Sequence, residues 1–320
     1  MRIGLVGAGT MARVHAEAYR RMGAELMAVY APDAGEREAF AERYGLEPFS
    51  DYQAFLRAVE VVDVVAPTDV HEPLAVAALE AGRDVILEKP IALDLASGER
   101  IVRAAREHGR RLFVAMVVRF FPQYRRAAEL VQAGELGRLG VVRLKRVSFL
   151  PKIPWYRDPA RSGGMVVDLM IHDLDYARWL LGDPVRVFAR RARVGEGEHV
   201  QAVLGFEGGA TAFIEGGWAY PEGHFRTAFD LAGDRGLLEW SSDAPGPIRT
   251  ILPAGAEVGA VGLPLGGLEE DPYELELRHA LSAIEAGAPF EVSPEDALAA
   301  LRLALLVRES ADREAPLEVT

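Results

Sequence analysis

Residues 2–12, RIGLVGAGTMA, decide the fold of the N-terminal part of the chain. Arg2–Val6 is an apolar run that predicts a buried strand, and a helix is predicted over Met11–Met22. Between them stands Gly7-Ala8-Gly9-Thr10-Met11-Ala12, the G-x-G-x-x-A form of a dinucleotide-binding fingerprint. The first glycine makes the tight turn, the second lets a pyrophosphate approach the backbone, and the alanine lets the helix pack closely on the strand. The position after the first strand favours dinucleotide binding over a glycine turn without a ligand.

The segment from residue 1 to about 118 alternates apolar runs with helical patterns. The predicted strands are Arg2–Val6, Glu25–Tyr30, Val61–Ala66, Asp84–Glu88 and Leu112–Val117, and the predicted helices are Met11–Met22, Gly35–Tyr44, Glu72–Ala81 and Leu95–His108. Strands joined by crossover helices form a parallel sheet that is covered on both faces. Residues 1–118 are therefore predicted to form a Rossmann-type, doubly wound α/β domain, which binds ligands at the carboxyl ends of its strands.

After Arg119 the pattern changes to strands separated by short turns such as Glu207-Gly208-Gly209, as antiparallel hairpins require. The predicted strands are Val141–Phe149, Val185–Val194, Val200–Phe206, Ala210–Trp218, Arg226–Ala232 and Leu237–Trp240, and the predicted helices are Gln123–Ala133, residues 163–180, Pro272–Ala286 and Pro294–Ser310. Asp243–Gly267 is rich in Gly and Pro and is predicted to be a long loop. Residues 119–320 are predicted to form an α+β domain with an open, mostly antiparallel sheet.

Composition limits the class of protein. A length of 320 residues predicts two domains. The formal net charge of -12 at pH 7 argues against a broad affinity for nucleic acid or an anionic membrane. No apolar run reaches the roughly 18 residues that span a bilayer, and the first residues resemble a strand and not a signal peptide. The absence of cysteine excludes disulfides and thiolate metal sites. No metal site is predicted, and a cytoplasmic location is the simplest expectation.

The acidic residue that binds the ribose of NAD normally ends the second strand of such a domain. Here the strand ends Val29-Tyr30-Ala31-Pro32-Asp33, so Ala31 occupies that position. Asp33 lies about twenty residues after the fingerprint, as the pattern requires, but beyond the predicted end of the strand. No Arg or Lys is expected there to hold a 2′-phosphate. The sequence therefore favours NAD(H) over NADP(H), with Asp33 as the candidate ribose ligand.

Lysine is rare in this chain. Of 36 Lys plus Arg residues, the lysines are Lys89, Lys145 and Lys152. A Lys retained against such a bias indicates a position that needs a compact ammonium with a readily shifted pKa. Lys89 ends a predicted strand, and Pro90 restricts it to an extended conformation. Lys89 is therefore predicted at the carboxyl edge of the sheet beside the cofactor, although a surface lysine before a helix would have the same sequence.

Residues 163–180, GGMVVDLMIHDLDYARWL, predict a helix that is apolar on most sides. Asp168, His172 and Asp175 follow the i, i+4, i+7 spacing and would share a wedge of roughly 60° on a regular α-helix. Buried ionisable groups are costly unless they have partners. This face either carries a structural His–Asp pair or lines a cleft, in which Asp168 would hold His172 as a general base. The spacing fits both equally; Asp173, off this face, is expected to be structural or solvated.

Several blocks of the sequence resemble the glucose-fructose oxidoreductase / inositol dehydrogenase / MocA family of NAD(P)-dependent dehydrogenases. The resemblance covers most of the chain and includes Gly7-Ala8-Gly9, Ala66-Pro67-Thr68-Asp69-Val70-His71, Ala81–Pro90, Arg119–Tyr124, and Gly163-Gly164 followed by Asp168, His172 and Asp175. It implies a catalytic group of Lys89, Asp168 and His172, with Asp175 on substrate hydroxyls. It also implies that Pro67, Thr68, His71 and Glu88 line the cofactor site.

The resemblance implies hydride transfer between nicotinamide and a secondary alcohol of a sugar, a sugar derivative or a cyclic polyol. The expected substrate loop, Pro151–Arg157, lacks the polar residues that would identify inositol. Trp155 is a candidate for stacking on a sugar face and Arg157 for binding a carboxylate, and both equally fit packing or a loop surface. Two alternatives stay open: a dinucleotide-binding sensor without turnover, and a dehydrogenase or reductase of a non-carbohydrate ketone, imine or tetrapyrrole. Retention of Lys89, Asp168 and His172 favours an enzyme over a sensor.

The open sheet of the second predicted domain leaves one face to be covered. The resemblance implies that a homodimer or homotetramer covers it by packing sheet against sheet. A small-molecule substrate is expected as the other partner.

Overall fold

The computed structural model describes residues 1–243, 249–251 and 271–319. The chain forms two compact units, and each is discontinuous in sequence. The first combines Met1–Phe120 with Glu270–Leu301, and the second combines Phe121–Glu269 with Arg302–Thr320. Glu270–Leu301 thus belongs to the first unit, whereas all of residues 119–320 were predicted to form one second domain. Among the described residues, no helix is both long and apolar enough to cross a membrane.

A parallel sheet of six strands in the order β3-β2-β1-β4-β5-β6 forms the centre of the first unit. Its strands are β1 (Ile3–Val6), β2 (Leu26–Tyr30), β3 (Glu47–Phe49), β4 (Val61–Val64), β5 (Asp84–Glu88) and β6 (Leu112–Ala115), and its helices are α1 (Thr10–Met22), α2 (Ala34–Tyr44), α3 (Tyr52–Ala58), α4 (His71–Glu80) and α5 (Leu95–Glu107). This order is that of a doubly wound dinucleotide-binding sheet, so the predicted fold class is confirmed. β3 and α3 were not predicted.

The order of the central strands determines which loops are neighbours. Parallel strands end at the same edge of a sheet, and β1, β4 and β5 lie side by side. The fingerprint after β1, the segment beginning at Val65 after β4, and Glu88 at the end of β5 therefore meet at one edge. This is the edge at which open α/β sheets bind ligands.

An eight-stranded sheet in the order β13-β12-β11-β7-β10-β9-β8-β14 forms the second unit. Neighbouring strands are antiparallel except β7 and β10, as the prediction of a mostly antiparallel sheet requires. In chain order the elements are α6 (Pro122–Gln132), β7 (Leu139–Ser148), α7 (Pro159–Ser162), a π-helical stretch (Val166–Met170), α8 (Ile171–Leu181), β8 (Pro184–Val194), β9 (Gly197–Phe206), β10 (Thr211–Gly217), β11 (Phe225–Gly233), β12 (Gly236–Ser241) and β13 (Arg249–Ile251). Apart from β13, the predicted loop Asp243–Gly267 lies almost wholly outside the described residues.

The C-terminal elements are α9 (Pro272–Ala286), α10 (Pro294–Arg313) and β14 (Leu317–Glu318). Helix α9 packs on α1, where Arg21 forms ion pairs of 2.5 Å with Asp271 and 3.1 Å with Glu274. The side chain of His279 on α9 also lies beside Phe113 of β6, with ring centroids 5.9 Å apart. These contacts explain why the helix belongs to the first unit. Strand β14 pairs with β8 in the second unit.

The helical segment that carries Asp168 packs closely on the second sheet. Gly216 on β10 is the point of closest approach, because a Cβ atom there would lie 3.1 Å from the sulfur of Met165 and from Cβ of Met170. Helix α8 is also tied to the sheet by a buried ion pair, in which Nε of Arg146 on β7 lies 2.7 Å from Oδ2 of Asp173. The helix is thereby fixed on one face of the sheet.

Candidate active site

The fingerprint loop has the geometry that its sequence predicts. Gly7 has φ of 120°, and a Cβ atom at that position would lie 2.9 Å from the carbonyl oxygen of Val65. Its N–H donates to the carbonyl of Tyr30 at 2.8 Å, which closes the turn against β2. Ala12 is fully buried, as close packing of α1 on the sheet requires. A side chain larger than glycine therefore does not fit at Gly7.

The N-terminus of α1 offers unused backbone donors. Gly9 is its N-cap residue, and no side chain of the described chain caps it. A Cβ atom on Gly9 would have no described heavy atom within 4 Å, so the space above the first turn is open. The first turn contains no acidic residue. Free N–H groups, the positive end of the helix dipole and open space together fit a pyrophosphate. The contribution of Gly9, Thr10 and Met11 to cofactor binding stays a prediction.

Asp33 lies at the N-terminus of α2, three residues beyond the end of β2. Its Oδ1 accepts the N–H of Glu36 at 2.8 Å, so this oxygen caps the helix. The residue is exposed. The role of Asp33 as the ribose ligand stays a prediction, because helix capping explains the same residue.

Arg37 is a residue that the sequence analysis missed. Its guanidinium lies at the end of β2, where Nη1 donates to the carbonyl of Ala31 at 2.8 Å, and the residue is only 8% exposed. A cation therefore does lie near this strand end, but the expectation that no Arg or Lys there holds a 2′-phosphate stays a prediction. The sequence contained a signal for this contact: Arg37 is four residues after Asp33, so on a helix that begins there it lies one turn further along the same face.

His71 ties together the segments that follow β4 and β5. It is 1% exposed, and its Nδ1 and Nε2 lie 2.9 Å from the carbonyl oxygen of Pro90 and 3.0 Å from that of Ala66. Burial lowers the pKa of His71 despite these two acceptors, so the neutral ring donates one N–H to one of the carbonyls. Pro67 and Thr68 lie between Ala66 and His71, at the start of a short 3₁₀ turn. His71 thus fixes the loop that was predicted to line the cofactor.

Glu88 is buried at the end of β5 and is 6% exposed. Its Oε2 accepts the backbone N–H of Lys89 at 3.0 Å, and its Oε1 lies 3.2 Å from Nε2 of His15. Burial alone would raise the pKa of Glu88, but His15 and Lys89 outweigh it and lower the pKa. The carboxylate therefore holds the backbone of Lys89 from inside the unit.

His15 and Asp63 complete this buried group and were not predicted from the sequence. Nδ1 of His15 lies 2.8 Å from Oδ2 of Asp63, which also accepts the hydroxyl of Tyr19 at 2.8 Å. All three residues are fully buried. Burial lowers the pKa of His15, but the carboxyl groups of Asp63 and Glu88 raise it well above its ordinary value, which favours the protonated ring. The sequence did contain one indication of this group, because Asp63 interrupts the otherwise apolar strand β4.

Glu276 on α9 is the remaining acid of this region. It is fully buried, and neither carboxyl oxygen has a hydrogen-bond partner within the described part of the chain. Burial, together with Glu88 and Asp63, raises its pKa well above the ordinary value, although His15 acts in the opposite direction. This shift favours the neutral carboxylic acid at Glu276.

The second unit carries Asp168, His172 and Asp175 on one helical segment. They are 6%, 9% and 1% exposed, so the predicted combination of ionisable side chains and burial is present. Asp168 lies in the π-helical stretch, and His172 and Asp175 lie in α8. The segment is therefore not the regular α-helix that the sequence analysis assumed, and the wedge of roughly 60° does not apply through Val166–Met170. Such π-helical turns are frequent at functional sites.

Asp173 forms a buried ion pair, which agrees with the structural role that was one of the two expected for it. Besides its contact with Nε of Arg146, its Oδ1 lies 3.3 Å from Nη2 of that residue. Burial raises the pKa of Asp173, although Arg146 opposes the shift. Asp173 therefore anchors α8 to the sheet.

The expected substrate loop is placed by contacts within the second unit. The indole of Trp155 stacks on the ring of Tyr156, with centroids 3.9 Å apart. Nη1 of Arg157 lies 3.0 Å from Oε2 of Glu196, and Nε donates to the carbonyl of Pro151. The guanidinium of Arg157 is thus already paired with a carboxylate, which weakens its candidacy as a substrate ligand. The role of Trp155 stays a prediction.

Comparison with known proteins agrees with this arrangement. The model of an oxidoreductase family with an NAD-binding Rossmann fold, GFO/IDH/MocA, matches residues 1–116, and that of the GFO/IDH/MocA C-terminal domain matches residues 124–239. An inositol 2-dehydrogenase of Rhizobium meliloti (strain 1021) is 29% identical over 316 residues, which cover 95% of this chain and 94% of that protein. A myo-inositol 2-dehydrogenase of Thermotoga maritima is 26% identical over 330 residues, covering 98% and 97%. The crystal structure of GenD2 from gentamicin A biosynthesis, in complex with NAD, has a TM-score of 0.86 at 27% identity and covers 100% of this chain and 96% of its own.

Proposed function

Because the chain belongs to the GFO/IDH/MocA oxidoreductases, we propose that it is an NAD(P)-dependent dehydrogenase of a sugar, a sugar derivative or a cyclic polyol. The observation that carries this proposal is the uncapped N-terminus of α1, open above Gly9, at the same sheet edge as Lys89. The names of the inositol dehydrogenases to which the chain is similar support the substrate class.

The proposed chemistry assigns one task to each side chain. When bound, the nicotinamide accepts or donates the hydride. In the oxidative direction His172 removes the hydroxyl proton of the substrate, and Asp168 orients His172. Lys89 donates a hydrogen bond to the substrate oxygen and stabilises the negative charge that develops there. Asp175 positions a neighbouring hydroxyl.

We propose NAD(H) as the preferred cofactor. The exposed carboxylate of Asp33 follows β2 and would repel the 2′-phosphate of NADP(H) while accepting hydrogen bonds from a ribose hydroxyl. Arg37 is the nearby cation, but its guanidinium is largely buried and donates to the carbonyl of Ala31. We therefore assign Arg37 to stabilising the end of β2 and not to binding the 2′-phosphate of NADP(H).

The cofactor assignment is tested by titrating the purified protein separately with NADH and NADPH while the nicotinamide fluorescence is followed. Tighter binding of NADH is expected. Replacement of Asp33 by Ser should narrow the difference between the two cofactors, because the repulsive carboxylate is removed. Binding of neither cofactor at concentrations well above the micromolar range would overturn the dehydrogenase assignment.

The catalytic assignment is tested by a screen of sugars and inositols with the preferred cofactor. Lys89→Met should abolish turnover while NADH affinity stays nearly unchanged, and His172→Ala should lose turnover at neutral pH. Lys145→Met is the matched control, because Lys145 lies on the sheet of the second unit, paired with Glu215 at 3.1 Å. Equal loss of turnover and NADH affinity in Lys89→Met would contradict the role of Lys89. NADH binding without turnover of any substrate would favour a sensor.

We further propose that the outer face of the second sheet joins copies of the chain into a homodimer or homotetramer. Phe188, Val203 and Phe213 are direct neighbours across β8, β9 and β10, and each is more than one-third exposed. The row continues into Arg143 and Asp230, which provide a polar rim. An exposed apolar row of this kind favours a protein partner, and a second copy offers the same surface.

Light scattering of the purified protein tests this assembly. A mass of two or four chains is expected, and Phe213→Glu should lower it. A monomeric wild-type protein would refute the proposal, as would an oligomer whose mass this substitution leaves unchanged.

A further inference from the structure

A buried group of ionisable side chains lies directly behind Lys89 in the first unit. Its members come from four elements and are His15 and Tyr19 of α1, Asp63 of β4, Glu88 of β5 and Glu276 of α9. Each of them is less than one-tenth exposed. The proposed catalytic roles use none of these five residues.

Four of its members, all except Glu276, form a continuous chain of contacts that ends at the backbone of Lys89. The hydroxyl of Tyr19 donates to Asp63, whose same oxygen lies 2.8 Å from Nδ1 of His15. Nε2 of His15 lies 3.2 Å from Oε1 of Glu88, and Oε2 of Glu88 accepts the N–H of Lys89. Both nitrogens of one imidazole thus face carboxylates, one of which holds the residue proposed to contact the substrate oxygen.

Within this chain of contacts one basic ring lies between two carboxyl groups, those of Asp63 and Glu88. Burial lowers the pKa of His15, but the two carboxyl groups raise it well above its ordinary value, and a positive charge on the ring would offset their mutual repulsion in a low-dielectric interior. Apolar residues of similar size would fill the same space at lower cost, as they do at neighbouring Val62, Val64 and Leu87, which are fully buried. Stability alone therefore does not explain the group.

We propose that His15 is a positioning residue for the reaction: held by Asp63, it fixes the Glu88 carboxylate that binds the Lys89 amide, and so fixes Lys89 against the substrate oxygen. This inference rests on the proposed function, in which Lys89 makes that contact. His15 itself touches neither substrate nor cofactor in this scheme. Its loss should therefore lower kcat and leave the affinity for NADH unchanged.

Two variants distinguish the effect of the charge of His15 from the effect of its size. His15→Gln keeps a polar side chain of similar size but removes the positive charge, and it should lower kcat roughly 10- to 100-fold through misplacement of Lys89. NADH affinity should change less than about threefold, an effect below 1 kcal/mol. Adding Asp63→Asn removes one negative charge and restores the wild-type net charge of the group, so the double variant should recover part of kcat. A merely structural role predicts the opposite, because two buried substitutions would add their losses.

Hydrogen exchange at the Lys89 amide gives a readout that needs neither substrate nor cofactor. His15→Gln should speed exchange in the peptide that contains Lys89, because Glu88 is no longer held. His279→Gln is the matched control: His279 belongs to the same unit and accepts the N–H of Glu291 at 2.9 Å, but it is not part of this group. The control should leave both Lys89 exchange and kcat unchanged.

The outcomes distinguish this inference from the proposed function. Wild-type protein without turnover of any sugar or polyol refutes the proposed function, and the exchange measurement then decides whether His15 holds Lys89. Active wild-type protein with unchanged kcat and unchanged exchange in His15→Gln overturns the inference alone. Should His15→Gln fail to fold, the charge-balanced double variant takes its place. Exchange at Lys89 equal to wild type in that variant, with NADH affinity and kcat also retained, would mean that the His15 imidazolium is dispensable.

Discussion

Alanine at Gly9 adds one methyl group at a point where the described chain has no heavy atom within 4 Å. The backbone there has φ of -82°, which any L-residue adopts. Alanine is a poorer N-cap than glycine, but it also restricts the unfolded chain, and these effects oppose each other. The free energy of unfolding should therefore change by less than about 1 kcal/mol. The methyl group occupies the space above the uncapped first turn, so the dissociation constant for NADH should rise roughly ten- to hundredfold, ~1.4 to 2.8 kcal/mol.

Alanine at Gly7, two residues earlier, should instead lower the stability of the protein. Alanine at Gly7 would place its Cβ 2.9 Å from the carbonyl oxygen of Val65, and φ of 120° is unfavourable for any side chain. The backbone must shift, at a cost of about 2 to 3 kcal/mol in unfolding free energy. Gly7→Ala should therefore be destabilised without its cofactor, whereas Gly9→Ala should be as stable as wild type.

The assay combines NADH titration with unfolding followed by circular dichroism. Tryptophan fluorescence is unsuitable for the unfolding measurement, because Trp155, Trp179, Trp218 and Trp240 all belong to the second unit. Wild-type NADH affinity in Gly9→Ala would refute the assignment of this helix N-terminus to the pyrophosphate. Equal destabilisation by both substitutions would refute the distinction between the two glycines.

Further predictions concern the buried charges. The raised pKa of Glu276 means that the folded protein holds a proton that the unfolded chain releases above its ordinary pKa, so stability falls as pH rises from about 4.5 toward the folded pKa. Glu276→Gln should flatten this dependence by up to about 1.4 kcal/mol per pH unit in urea unfolding from pH 5 to 8; parallel wild-type and variant curves would contradict it. Asp173→Asn leaves the buried Arg146 without its counter-charge and should cost about 3 to 5 kcal/mol. Denaturant unfolding measures this loss, and a decrease of less than about 1 kcal/mol in the free energy of unfolding would show that the pair is unimportant.

Regular alternation of strands and helices made the first unit predictable. Strands such as Asp84–Glu88 are Val- and Ile-rich runs, and the fingerprint fixes the start of the sheet. β3 and α3 escaped prediction because β3 is three residues long, contains Pro48 and has no apolar alternation. The return of α9 to the first unit depends on contacts between residues more than 150 positions apart, such as Arg21 with Asp271 and Glu274, and no local pattern encodes them.

Candidate site residues could be proposed where they belong to short sequence motifs. Residues that the fold brings together from distant segments could not. Lys89 and His172 could be proposed as site residues from their neighbours in sequence, and their roles stay predictions. His15 could not, because its significance arises from Asp63 and Glu88, which adjacent strands bring to it. The π-helical stretch of Val166–Met170 was also missed, because an extra residue in one turn depends on packing against β10 and leaves the apolar pattern nearly unchanged.

The return of α9 to the first unit has a consequence for biosynthesis. The first 120 residues leave the ribosome without the helix that packs on α1, and that helix is complete only at Ala286. At ordinary elongation rates the delay is roughly ten to thirty seconds. During this interval the α1 surface that includes His15 has no covering from α9, and Glu276 has not joined the acids behind Lys89. The first unit is therefore completed only after most of the second unit has been synthesised, and chaperones that shield apolar surface can act on Met1–Phe120 throughout this interval.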